Sequence, residues 1–76
     1  MLKYTVVLIP EENGGYSVEV PTLPGCVTQG ETREEAIAMA KEAISLYVES
    51  LKADGEPIPQ EPALETLVVE VRAPVA

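Results

Sequence analysis

The stretch VPTLPGCVTQGET, Val20–Thr32, holds two prolines, two glycines and the only cysteine of the chain. Its backbone restrictions fall where the chain must change direction. Pro21 lacks the N–H that a strand ladder needs, so it ends the strand before it. Pro24 and Gly25 fit the central positions of a type II turn, whose second position requires positive φ. Cys26–Gly30 can then run as a short third strand at an edge. Thr32, with Glu35 three residues on, reads as a capping box in which each side chain accepts from the other residue's unpaired N–H. The stretch therefore closes a hairpin and launches a helix.

Upstream, KYTVVLI (Lys3–Ile9) is apolar on both alternating sets, Tyr4, Val6 and Leu8 on one side and Thr5, Val7 and Ile9 on the other. That pattern suits a central strand covered on both faces. Pro10 stops it, and EENGG (Glu11–Gly15) supplies turn chemistry. YSVEV (Tyr16–Val20) alternates with Tyr16, Val18 and Val20 inward, which completes a hairpin.

Downstream, the helix expected from Thr32 has Glu34 and Glu35 at its positive end and Gly55, followed by Pro57, at its exit. At about 100° per residue, Ala36, Ile37, Ala40, Ala43, Ile44, Tyr47, Val48 and Leu51 share one broad face. EPIPQEPA (Glu56–Ala63) carries three prolines and reads as a stiff connector. LETLVVEV (Leu64–Val71) reads as a last strand, and RAPVA as a frayed end. The expected class is α+β, β-β-β-α-β. A right-handed crossover puts the last strand beside the first, giving a mixed four-stranded sheet of order 3-2-1-4 with one helix on one face.

Seventy-six residues suit one domain, 1–76, with its core over about 3–71. So small a domain buries little surface, and a single cysteine gives no internal disulfide, so a homo-dimer or higher homo-oligomer is the expected extra source of burial. The other sheet face exposes a stripe containing Val7 and Ile9, with Val68 a candidate to join it. Met39 and Leu46, seven residues apart, lie opposite Ile44 on the helix. Stray apolar residues on a wet face are ordinary, and this spacing also matches a seam for another helix or a partner groove.

Five Lys and Arg against 13 Asp and Glu give a net charge of −8. Phosphate backbones demand positive surface, and Lys3, Arg33, Lys41, Lys52 and Arg72 are scattered along the sequence, so nucleic acid is a poor partner. The field favours a basic partner or plain solubility. No signal peptide or membrane span is read, and one unpaired cysteine suits a reducing interior, so a cytoplasmic location is expected.

Chemistry has few footholds. Cys26 has no histidine anywhere in the chain to act as its base and no adjacent cation, so it reads as a small packed residue after a turn. Glu11, Glu12, Glu34, Glu42 and Glu49 fall in turns or on the wet helix face, which argues against a carboxylate metal site. ENGG joins two strands and opens no helix, so it is no phosphate cradle. No catalytic, cofactor or metal residue is assigned.

The ordered set Gly15-Tyr16, Val20-Pro21, Leu23-Pro24-Gly25-Cys26 and Gly30, then the EEA helix entry and the exit DGEPIP, resembles the HicB antitoxin family over about Tyr4–Pro59. The resemblance implies structural roles for Tyr16, Pro21, Leu23, Pro24, Gly25, Cys26 and Gly30. It also implies a partial ribonuclease-H-like fold and neutralisation, by direct contact, of a small basic HicA-type RNA-cleaving toxin. An acidic antitoxin suits such a partner, since attraction speeds encounter and apolar contacts lengthen residence. Longer members carry a DNA-binding segment after the last strand. Only RAPVA follows Val71 here, so no C-terminal DNA-binding domain, and no DNA binding by this chain alone, is expected. Two other readings stand beside this one: a stand-alone oligomeric module binding a small ligand or another protein, and a divalent-metal nuclease.

Overall fold

A computed structural model describes residues 1–75. Of the expected frayed end, Ala76 lies outside the described residues. These residues form three strands and a helix: β1 (Val7–Pro10), β2 (Tyr16–Glu19), β3 (Val27–Gly30) and α1 (Arg33–Ala53). Both strand pairings are antiparallel, in the order β1-β2-β3, with Leu8 opposite Val18 and Val18 opposite Thr28. Residues directly opposite share a face, so Leu8, Val18 and Thr28 point one way, while Val7, Ile9, Ser17, Glu19, Val27 and Gln29 point the other.

The loop between β2 and β3 has the architecture its prolines and glycine demand. Cys26 N–H donates to the Leu23 carbonyl at 2.9 Å around Pro24 and Gly25, and Gly25 takes φ 79°. A preceding turn, Leu23 N–H to the Val20 carbonyl at 3.0 Å, holds Pro21 at its second position. Val20 N–H donates to the Cys26 carbonyl at 3.1 Å and closes the loop. This double turn drives Leu23 inward until it is 0% exposed.

Helix α1 is capped at both ends. Thr32 Oγ1 accepts from Glu35 N–H at 3.0 Å, as expected. The return bond differs by one residue: Glu35 Oε1 accepts from Glu31 N–H at 3.1 Å, not from Thr32. At the exit, Gly55 N–H donates to Lys52 and Glu56 N–H to Leu51, with Gly55 at φ 68°. That pair of bonds is a Schellman cap. The eight residues expected on the apolar face are all buried or half-buried.

Packing concentrates in two adjoining clusters. Val18, Ala36 and Ala40 form one, with Val6, Leu8 and Tyr16 packed against it. Val20, Leu23 and Cys26 form the other, with Tyr4, Val6, Ala43, Ile44 and Tyr47 around them. Val6 joins the two.

Three expectations need correction. The first strand was expected over Lys3–Ile9, yet Lys3–Val6 lie outside the ladder and Pro10 is its last residue, opposite Tyr16. Continuing the register puts Pro21 opposite Thr5, and Pro21 has no N–H to offer there. The segment Leu64–Val71, expected as a fourth strand, carries no strand and lies outside the sheet. Consequently β1, expected in the middle, stands at an edge. The connector explains the difference. Pro57, Pro59 and Pro62 each disfavour a helical bend in the residue before them, so the connector is stiff, and Leu64–Val71 beyond it stays out of the sheet.

Candidate interaction surface

The residues that looked most like a site in the sequence are architectural. Cys26 is buried, and burial pushes its thiol pKa up, away from the thiolate a nucleophile needs. Tyr47 Oη donates to the Pro24 carbonyl at 2.7 Å, which ties the helix to the turn. Gly30 is buried where β3 meets the start of α1. A Cβ added there would stand 2.4 Å from Ala36 N and 2.6 Å from Ala36 Cα. Tyr16 is half-buried against the first cluster, and Pro21, Pro24 and Gly25 are exposed in the double turn. Among the described residues, no group of three or more His, Cys, Asp or Glu side chains is placed to hold a metal ion.

One polar hub escaped the sequence reading. Glu61 is half-buried and accepts from Thr5 N–H at 2.6 Å, Thr5 Oγ1 at 2.7 Å and Thr22 Oγ1 at 3.0 Å. Beside it, Tyr4 Oη donates to the Pro59 carbonyl at 2.6 Å. Glu61 thus receives the backbone donor of Thr5 where Pro21 can make no return bond. An acid between two prolines gave the only local hint, and nothing local linked it to Thr5. The Thr5 N–H, then the Thr5 hydroxyl, lower the Glu61 pKa, burial opposes them, and Thr22 adds to the lowering.

A depressed carboxylate pKa stabilises the fold above the unfolded value, and that contribution is lost as pH falls through the folded value. Glu61→Gln should therefore unfold at lower urea than the natural chain at neutral pH. Below pH 4.5, the ordinary glutamate value, the gap between the two urea midpoints should close. A gap that stays constant on acidification would mean that the charge on Glu61 is not what holds the connector.

Three surfaces remain open. The sheet face away from α1 exposes Val7 at 36%, Ile9 at 38% and Val27 at 64%, set among Ser17, Glu19 and Gln29. Along the unpaired side of β1, Val6 and Leu8 line a groove with Ile37, Ala40 and Ile44 of the helix. Lys3, Arg33 and Lys41 lie in the same groove, so the fold gathers three cations that are scattered in the sequence. Third, Leu67, Val68, Val69 and Val71 are 68–95% exposed beyond the connector. On α1, Leu46 is 58% exposed, whereas Met39 is half-buried and faces the hairpin turn and the end of β3. Among the described residues, no helix is long and apolar enough to cross a membrane.

Comparison with known proteins places this architecture in a family. The family model described as the HicB-like antitoxin of bacterial toxin-antitoxin systems matches residues 4–72. A UPF0150 protein of Thermoplasma acidophilum is 52% identical over 67 residues, covering 88% of this chain and 97% of its own. Antitoxin HicB 1 of Photorhabdus laumondii is 47% identical over 58 residues, covering 76% of this chain and 37% of its own. Antitoxin HicB of Escherichia coli is 40% identical over 58 residues, covering 76% of this chain and 42% of its own. The match spans less than half of each relative named as an antitoxin and nearly all of the Thermoplasma protein. On the match across residues 4–72, the chain belongs to the HicB-like antitoxin family.

Proposed function

We propose that this chain is a non-enzymatic, cytoplasmic antitoxin that binds a small basic HicA-type RNA-cleaving toxin and neutralises it by direct protein contact. The family match over residues 4–72 carries the reading. The physical chemistry supports it: a net charge of −8 attracts a basic partner over several ångströms of solvent. The exposed Val7, Ile9 and Val27 then offer apolar contact once the surfaces meet. Met39 and Leu46 are a second candidate contact on the helix.

Residues 1–76 act as one domain with its core over about 3–71. Its working state is a homo-dimer or higher homo-oligomer, in which a Leu64–Val71 segment, outside the sheet in the single chain, takes the fourth place beside β1 and completes a partial ribonuclease-H-like order 3-2-1-4. Mixing the chain with its cognate toxin should abolish RNA cleavage in step with formation of a stable complex. RNA cleavage that persists in a saturated complex would count against masking.

A second reading is a stand-alone oligomeric module that binds a small ligand or another protein. What favours it is the Thermoplasma relative, which is matched over 97% of its own length and so lacks the additional length of the HicB-named relatives. A metabolite that binds in calorimetry, in a cell with no cognate toxin, would support this alternative.

A further inference from the structure

We infer that Leu64–Val71 of one copy forms the fourth strand on the β1 edge of a second copy, and that the exchange is reciprocal. This rests on the four-stranded reading above and adds the source of the strand.

Two incomplete surfaces of the same chain complement each other. Among the described residues β1 pairs with β2 alone, so its outer backbone groups have no strand partner, an arrangement that invites strand addition. Beside that edge lies the groove of Val6, Leu8, Ile37 and Ile44. The segment beyond the connector is the matching piece. Leu67, Val69 and Val71 alternate onto one face and are 76%, 68% and 84% exposed. Seated on β1, that face meets the groove, while Val68 falls beside Val7 and Ile9 on the opposite side. Charge agrees as well: Lys3, Arg33 and Lys41 line the groove, and Glu65 falls on the same alternating face of the segment as Leu67, Val69 and Val71.

The position of the segment favours a second copy as the recipient. Glu61 is held to Thr5 and Thr22 at the end of the β1–β2 ladder. Pro62 follows at once and keeps the backbone of Glu61 extended, and beyond it Leu64–Val71 stays outside the sheet of its own chain. The chain accordingly projects. Its radius of gyration is 15.5 Å and its extents are 53 × 28 × 22 Å, against about 11 Å for a compact chain of this length. Extended at about 3.3 Å per residue, Leu64–Val71 reaches about 26 Å from the body. A segment held out of its own sheet behind a stiff connector is the geometry of strand exchange between identical copies, and two-fold symmetry closes it without leaving an open end.

Sedimentation equilibrium of the full chain should give a dimer. The double substitution Leu67→Asp/Val69→Asp should weaken association by about 100-fold or more, with the helical circular-dichroism signal retained. In an equal mixture of carbon-13-labelled and unlabelled natural chains, filtered NOEs should connect methyls of Leu67, Val69 or Val71 in one copy to Ile37 or Ile44 in the other. A dimer whose tail contacts lie within one copy, or whose affinity ignores the double substitution, overturns the exchange. A monomer with 64–71 amides protected from hydrogen exchange overturns it too, while leaving the four-stranded fold standing. Unprotected 64–71 amides overturn both.

Discussion

Gly30→Ala should destabilise the chain by about 3 kcal/mol or more, near the upper range for overpacking a closed site. The added Cβ would lie 2.4 Å from Ala36 N and 2.6 Å from Ala36 Cα, and 2.9 Å from the carbonyl carbon of Glu35. All three atoms are backbone of the first helical turn, so no side chain can swing aside. Either α1 lifts from β3, which opens the cluster around Ala36 and Ala40, or the Thr32 cap is broken. A domain of this length has a total stability of roughly 4–11 kcal/mol, so the loss consumes a large share of it. Gly14→Ala is the informative comparison. Nothing lies within 4 Å of its added Cβ, and only its φ of 89° resists, so about 1–2 kcal/mol is expected. Urea unfolding of the two variants measures the difference. Equal losses would mean that the approach of α1 to β3 is not what requires glycine at position 30.

Leu23→Ala should cost about 2–5 kcal/mol through lost burial and the cavity left behind. Leu23 is 0% exposed at the tip of a double turn, with Val20 and Cys26 beside it and Tyr47 of the helix closing over it. The backbone bonds of that loop leave little room for collapse, which favours the upper part of the range. Leu46→Ala, at a residue 58% exposed, should stay within about 0.5 kcal/mol of the natural chain. Thermal or urea unfolding of both variants reads the contrast, and a mild Leu23→Ala would place the stabilising packing elsewhere.

These two positions show what the sequence made legible. Proline and glycine in Val20–Thr32 restrict the backbone locally, so the turn at Leu23–Cys26, the short third strand and the start of α1 could all be read from residue type. The helix face was equally plain, because its period is a local property. Other features depend on contacts far apart in sequence. Glu61 reaches Thr5 across 56 residues, and no local pattern announces that bond. Beyond that bond and Pro62, Leu64–Val71 lies outside the sheet. The strand pattern of that segment was visible, but the edge it belongs to is not determined by its own residues. The clustering of Lys3, Arg33 and Lys41 was hidden for the same reason: the N-terminal segment and the helix had to come together before the three cations met. For Met39 and Leu46, seven-residue spacing put both on one helix stripe, but only the packed hairpin half-covers Met39 and leaves Leu46 in solvent.

On the proposed reading, an acidic surface brings this chain to a small basic toxin and apolar contact keeps it there. A binding titration against the cognate toxin at low and at high salt, with RNA cleavage followed in the same samples, tests it most directly. The expected result is a complex at both salt concentrations, an association rate that falls steeply as salt rises, a dissociation rate that changes much less, and cleavage that stops once toxin is saturated. A toxin that fails to bind at low salt, or that cleaves RNA at full speed while bound, would contradict it.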